Sequence, residues 1–232
     1  YQNHICILIG VGAAADLICM LTLFNISGIS MVKFLLLNLV SILLPGFSIL
    51  SLMDISLSRV GAFCTSYLLG YAFLVVEYFF SEIFNRRVSF TAVTALVAVV
   101  SGLYIGKKIK NKESIIKIKE TDNEKSELLL LAGFEILNVF AYAANYLGTD
   151  VVPVHNACRD MQYWVNNTVA LKLSWPAENL FMVGKPLYYH YFSNIPIAFL
   201  CEVYQIDVFT MSFPLYGLTK AIVVVGPVQF LM

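Results

Sequence analysis

The chain has 232 residues, of which 59% are hydrophobic and 13% charged, and its mean hydropathy is +0.77. A soluble domain carries about 25% charged and 45–50% apolar residues, so this composition excludes an ordinary water-soluble globule and predicts an integral membrane protein. Lys and Arg (15) balance Asp and Glu (15), and a net charge of zero gives no electrostatic case for nucleic acid.

In chain order, the first run is Ile5–Phe24. Tyr1–His4 before it is short and lacks a basic n-region, so no secretory signal of the usual kind is expected there. Tyr1 is not an initiator Met and the last apolar run stops at Met232, so the sequence reads as part of a longer protein. Further runs follow at Phe34–Met53, Val60–Phe80, Ser89–Ile105 and Leu128–Leu147. Each approaches the ~20 apolar residues that cross ~30 Å of hydrocarbon, and each is continuous rather than alternating, which predicts helices and not barrel strands. Pro45-Gly46 inside the second run predicts a kink, because proline removes a backbone hydrogen bond.

Lys107 to Lys125 is the one long charge-dense stretch, and it reads as a solvated linker. Its seven lysines predict a cytoplasmic location, against the two opposing residues Arg86-Arg87. The fifth span then leads outward, and residues 148–191 are expected on the extracytoplasmic side.

In that outer segment, Asn156 is the expected N-cap of a helix over Ala157–Ser174, ended by Trp175-Pro176. Asp160, Tyr163, Trp164 and Asn167 are spaced to share one face, while Val165, Val169 and Leu173 mark another suited to packing or to a membrane surface. Gly184-Lys185-Pro186 predicts a turn. A short helix is expected at Asn194–Tyr204 with Pro196 in its first turn, followed by a further span from Val208 to Met232.

The order Arg159-Asp160, then Trp175-Pro176-Ala177-Glu178-Asn179, then Gly184-Lys185-Pro186-Leu187-Tyr188-Tyr189-His190 resembles the first extracytoplasmic loop of GT-C-type membrane glycosyltransferases. Leu44-Pro45-Gly46 is similar to a Pro-Gly pair in the N-terminal spans of the same large proteins. The likeness covers mainly residues 150–215. It departs from the better-known members in that extra spans precede the loop.

The resemblance implies an all-α, polytopic transmembrane protein with juxtamembrane helices in an extracytoplasmic loop. It implies sugar transfer from a polyprenyl-phosphate donor to a cell-envelope acceptor at the outer face of the cytoplasmic membrane. Such a reaction needs a base for the acceptor hydroxyl, for which Asp160 is the candidate. It needs positive charge on the departing phosphate, for which Arg159, Lys185 and His190 are candidates. Flat surfaces for the sugar fall to Tyr163, Trp164, Trp175, Tyr188 and Tyr189, although aromatics also gather as anchors where lipid meets water. Glu178 reads as a second acid, a metal ligand or a solvated loop carboxylate. Some proteins of this architecture use a divalent cation and others none, so cofactor and metal stay open. The partners implied are the lipid-linked sugar and membrane lipid, with the oligomeric state open.

The organisation expected is therefore an N-terminal group of about four spans in residues 1–106, a Lys-rich loop in 107–126, and a GT-C-like start in 127–232. Asp16, Glu77, Glu135 and Glu202 lie in or beside apolar runs, where charge costs roughly 2.5–3.5 kcal/mol at a helix centre. They support the alternative of a transporter or flippase working through intramembrane carboxylates. The five cysteines are scattered without a Cys-x-x-Cys, so no disulfide framework is expected. Asn166-Asn167-Thr168 and Asn25-Ile26-Ser27 match the glycosylation pattern but are read as incidental.

Overall fold

Serines start three of the long helices. In the computed structural model, which describes residues 26–84, 89–119, 124–146, 159–182, 184–187 and 191–215 with isolated positions between 11 and 22, Ser27, Ser58 and Ser89 each accept a hydrogen bond from a backbone N–H three residues on. That satisfies one donor the first helical turn leaves orphaned. The helices they open are α1 (Gly28–Asn38), α3 (Arg59–Ile83) and α4 (Phe90–Lys110). α1 continues through a π-helical turn, Leu39–Leu43, into α2 (Leu44–Met53). Then follow α5 (Glu124–Tyr146), α6 (Arg159–Leu173), α7 (Asn194–Tyr204), α8 (Val208–Thr210) and a second π-helical turn, Met211–Leu215.

The fold is mostly helical. Among the described residues, three helices are long and apolar enough to cross a membrane: Gly28–Met53, Arg59–Ile83 and Phe90–Lys110. These match the second, third and fourth runs read from the sequence. The Ile5–Phe24 run and the chain beyond Leu215 lie outside the described residues apart from isolated positions in the former.

The expected proline effect appears as the π-helical turn. Pro45 has no N–H to give, and one wide turn ahead of it, in which Leu44 N–H reaches Leu39 O, absorbs the mismatch. Just there α2 and α3 come into backbone contact. A Cβ on Gly46 would lie 1.8 Å from the Ser66 carbonyl oxygen, and one on Gly70 would lie 1.9 Å from that of Ile42. Small residues at a helix crossing let the two backbones touch.

α7 is the centre of the bundle. It packs on α6, α3 and α4 and touches α1. Nine of its eleven residues are buried, with Ile195, Ala198 and Phe199 fully enclosed, and Glu202 and Val203 are partly exposed. The bounds match the sequence expectation, and this burial explains why both faces are apolar. Rings lock it in place: Phe90 of α4 sits 4.9 Å from Phe199 and 5.4 Å from Tyr78 of α3, centroid to centroid.

The Lys-rich stretch is not a free linker. α4 runs into it as far as Lys110, and Lys117–Ile118 (β2) pairs in parallel with Ser56–Leu57 (β1) of the α2–α3 connection. Lys117 also pairs with Asp54 at 2.8 Å, and the Ser58 hydroxyl donates to the buried Glu127 carboxylate, tying α5 to the start of α3. These contacts join segments far apart in sequence, which is why local patterning does not announce them.

Candidate functional site

The site read from the sequence lies on α6 and the chain that follows it. α6 ends at Leu173, and Trp175-Pro176 closes it as expected. The chain then folds back as a narrow hairpin: Leu187 N–H donates to Ala177 O at 2.9 Å and Asn179 N–H to Lys185 O at 2.8 Å, bracketing the bridged pair Glu178 and Pro186. Gly184 takes φ +72°, which suits glycine, and the Asn179 side chain accepts from Phe181 N–H at 2.9 Å. Phe181, at the tip, meets the Tyr163 ring edge-on at 5.8 Å. The two motif-bearing segments are thereby in contact.

Each candidate is placed as follows. Arg159 and Asp160 form the first turn of α6, one turn before Tyr163, and their side chains lie outside the described residues. Tyr163 is half-exposed. Glu178 and Lys185 are exposed on facing strands of the hairpin. Tyr188, Tyr189 and His190 lie outside the described residues.

Trp164 and Asn167 depart from the face expected for them. Asn167, Thr168 and Leu171 are buried and Trp164 is partly so, a 3-4-7 spacing that turns this side of α6 onto α7. The Trp164 carbonyl accepts from Asn194 Nδ2 at 3.0 Å, and the same amide donates to Thr168 Oγ1 at 2.9 Å. Trp164 Nε1 is buried without an acceptor among the described residues. Of the face read as suited to packing or to a membrane surface, Val165 and Val169 are partly buried and Leu173 is exposed. Trp175 is an anchor in the ring cluster, 5.0 Å from Phe79 and 5.9 Å from Tyr78.

A second feature was not foreseen. Where α3, α4, α6 and α7 converge, a polar cleft of about 360 Å³ is lined by Ser81, Phe90, Thr91, Lys172, Glu202 and Gln205. Lys172 and Glu202 pair across it at 3.2 Å. The partner of Glu202 comes from a different helix, a pairing only the fold creates. Lys172 stands twelve positions beyond Asp160, about 18 Å along α6 at 1.5 Å per residue, so this cleft and the motif-bearing turn are separate places.

Glu77 is 2% exposed on α3; its Oε2 accepts from Thr94 Oγ1 at 3.3 Å, and Oε1 has no hydrogen-bond partner among the described residues. Asp16 lies outside the described residues, as does the side chain of Glu135. Among the described residues no three His, Cys, Asp or Glu side chains are grouped to hold a metal ion. The described cysteines Cys64 and Cys201 are free and buried. Compared with known proteins, the chain matches no protein-family model, no curated protein and no solved structure.

Proposed function

We propose that the chain is the membrane-embedded front part of a glycosyltransferase that uses a polyprenyl-phosphate-linked sugar at the outer face of the cytoplasmic membrane. The observation that supports this reading is the Tyr163–Phe181 contact. It brings the Gly184-Lys185-Pro186 hairpin over the first half of α6, beside the turn that carries Arg159 and Asp160. The exposed apolar tip of Leu180, Phe181 and Met182 suits a surface that meets lipid.

In the proposed reaction the acceptor hydroxyl oxygen attacks the anomeric carbon of the sugar. The bond from that carbon to the phosphate oxygen breaks, polyprenyl phosphate leaves with the electron pair, and the hydroxyl proton passes to Asp160. Arg159, Lys185 and His190 stabilise the charge on the departing phosphate. Tyr163 and Tyr189 face the sugar, while Trp164 fixes α6 on α7. In this orientation Lys107–Lys125 is cytoplasmic and residues 148–191 are outside.

The test is Asp160→Asn in the full-length protein, assayed in membranes for polyprenyl phosphate released from a panel of lipid-linked sugars. A loss of 10²- to 10⁴-fold is expected for removal of a general base. Undiminished release overturns the assignment. A second reading, a transporter or flippase, draws on Glu77, a buried carboxylate with one oxygen unpaired. Under it, Glu77→Gln abolishes transbilayer movement of substrate and Asp160→Asn leaves that movement intact.

A further inference from the structure

Near the C-terminal end of α4, the bundle opens a second and apolar cleft of about 610 Å³. Its walls are Phe47 of α2, Ile105 and Ile109 of α4, and Ile115, Ile116 and Ile118 of the returning chain. The size falls within the roughly 300–1,000 Å³ typical of ligand sites. Lys112 and Glu113 stand at its edge.

Lys112 is held in the left-handed region at φ +56°. Its N–H donates to Ile109 O at 3.0 Å, and the next N–H, of Glu113, reaches back to Lys108 O at 2.9 Å. This double closure of a helix end normally falls to glycine, because a Cβ is strained in that conformation. Asp54 and Gln205 adopt the same conformation at the ends of their helices, and at Lys112 it fixes where the side chain leaves the helix end. Glu113 is occupied by the Asn111 amide at 3.0 Å, and among the described residues no carboxylate pairs with Lys112. Lys107, Lys108 and Lys110 fill the last turn of α4 just before Lys112, so the helix end beside the cleft is basic, while the cleft's own edge carries Lys112 and Glu113. Lys108 is already engaged, with Ser51 Oγ at 2.7 Å and over the Tyr104 ring. Basic residues just beyond an apolar helix, over a cleft open along the helix's own exposed face, complement a molecule with a hydrocarbon tail and a negative head.

We propose that this cleft binds one anionic membrane phospholipid, its acyl chain against the isoleucines and its phosphate on Lys112. The inference is independent of the transfer reaction.

The test is native mass spectrometry of the full chain released from detergent, with phosphatidylglycerol or phosphatidylcholine added. The wild type retains one phosphatidylglycerol in preference to phosphatidylcholine. Lys112→Gly lowers that retention about fivefold, the effect of one lysine near a charged surface, and folds at least as well because glycine suits the backbone. Ile109→Trp fills the cleft and lowers retention of both lipids, whereas Lys33→Gln on α1 changes neither. Equal retention of the two lipids by the wild type, or full phosphatidylglycerol retention in Lys112→Gly, overturns the proposal. So does a dimer in the same spectra that Ile109→Trp disperses, since a second copy would then occupy the cleft.

Discussion

The hydroxyls of Ser41 and Tyr204 lie 2.6 Å apart in the core, joining the π-helical turn before α2 to the last turn of α7 across 163 positions of sequence. Ser41 also bonds the Leu37 carbonyl at 2.7 Å, so its side chain both supports the irregular turn and holds the central helix.

Tyr204→Phe removes this bond while keeping the ring that meets Phe34 edge-on. A net loss of about 1 kcal/mol is expected, with a similar loss for Ser41→Ala and a double variant no worse than the larger single one by more than a few tenths. Thermal unfolding of the three variants in detergent checks this; additive losses would show that the pair does not act as a unit.

The Gly46 and Gly70 contacts predict sharp intolerance. Gly46→Ala or Gly70→Ala places a methyl where a backbone carbonyl already stands, so α2 and α3 must separate, at a cost of about 1–3 kcal/mol or more. Gly28→Ala, where nothing lies within 4 Å of the new Cβ, serves as the control. Its melting temperature is expected to remain near or above that of the wild type, since Gly→Ala favours a helix.

Acid is expected to loosen the β1–β2 pairing. The Lys117 ammonium, by its hydrogen bond and its charge, holds the Asp54 carboxyl below the usual carboxylate range. A group depressed in the folded state contributes stability above its unfolded pKa, and that contribution is lost as pH falls below about 4 and the carboxylate takes a proton. Hydrogen exchange at the Lys119 amide, bonded to Leu57 O at 2.9 Å, reports the release. Protection in the wild type is expected to converge on that of Asp54→Asn as pH drops, and a constant gap between the two would refute the link.

Composition and hydropathy made the three membrane-length helices legible, because each run must satisfy its backbone internally and stay apolar throughout. The ends of α7 were legible for a different reason: Pro196 suits a first turn, and the apolar run stops at Gln205. The crossing of α2 and α3 was not, since Gly46 and Gly70 acquire meaning only when the helices meet. Trp164 shows the same limit on a smaller scale. Spacing put it on one face with Asp160 and Tyr163, but packing against α7 took Trp164 and Asn167 inward and left Tyr163 outside. The partners of Lys117, Lys172 and Glu202 were equally invisible, because each lies in a different element.

The enclosure of α7 also constrains how the molecule is made. Its eleven residues span about 17 Å, too little to reach across a bilayer, and they are too apolar to rest comfortably in water. During synthesis this segment has no hospitable environment of its own until α3, α4 and α6 surround it. This helix therefore settles only once those three neighbours, all earlier in the chain, stand around it.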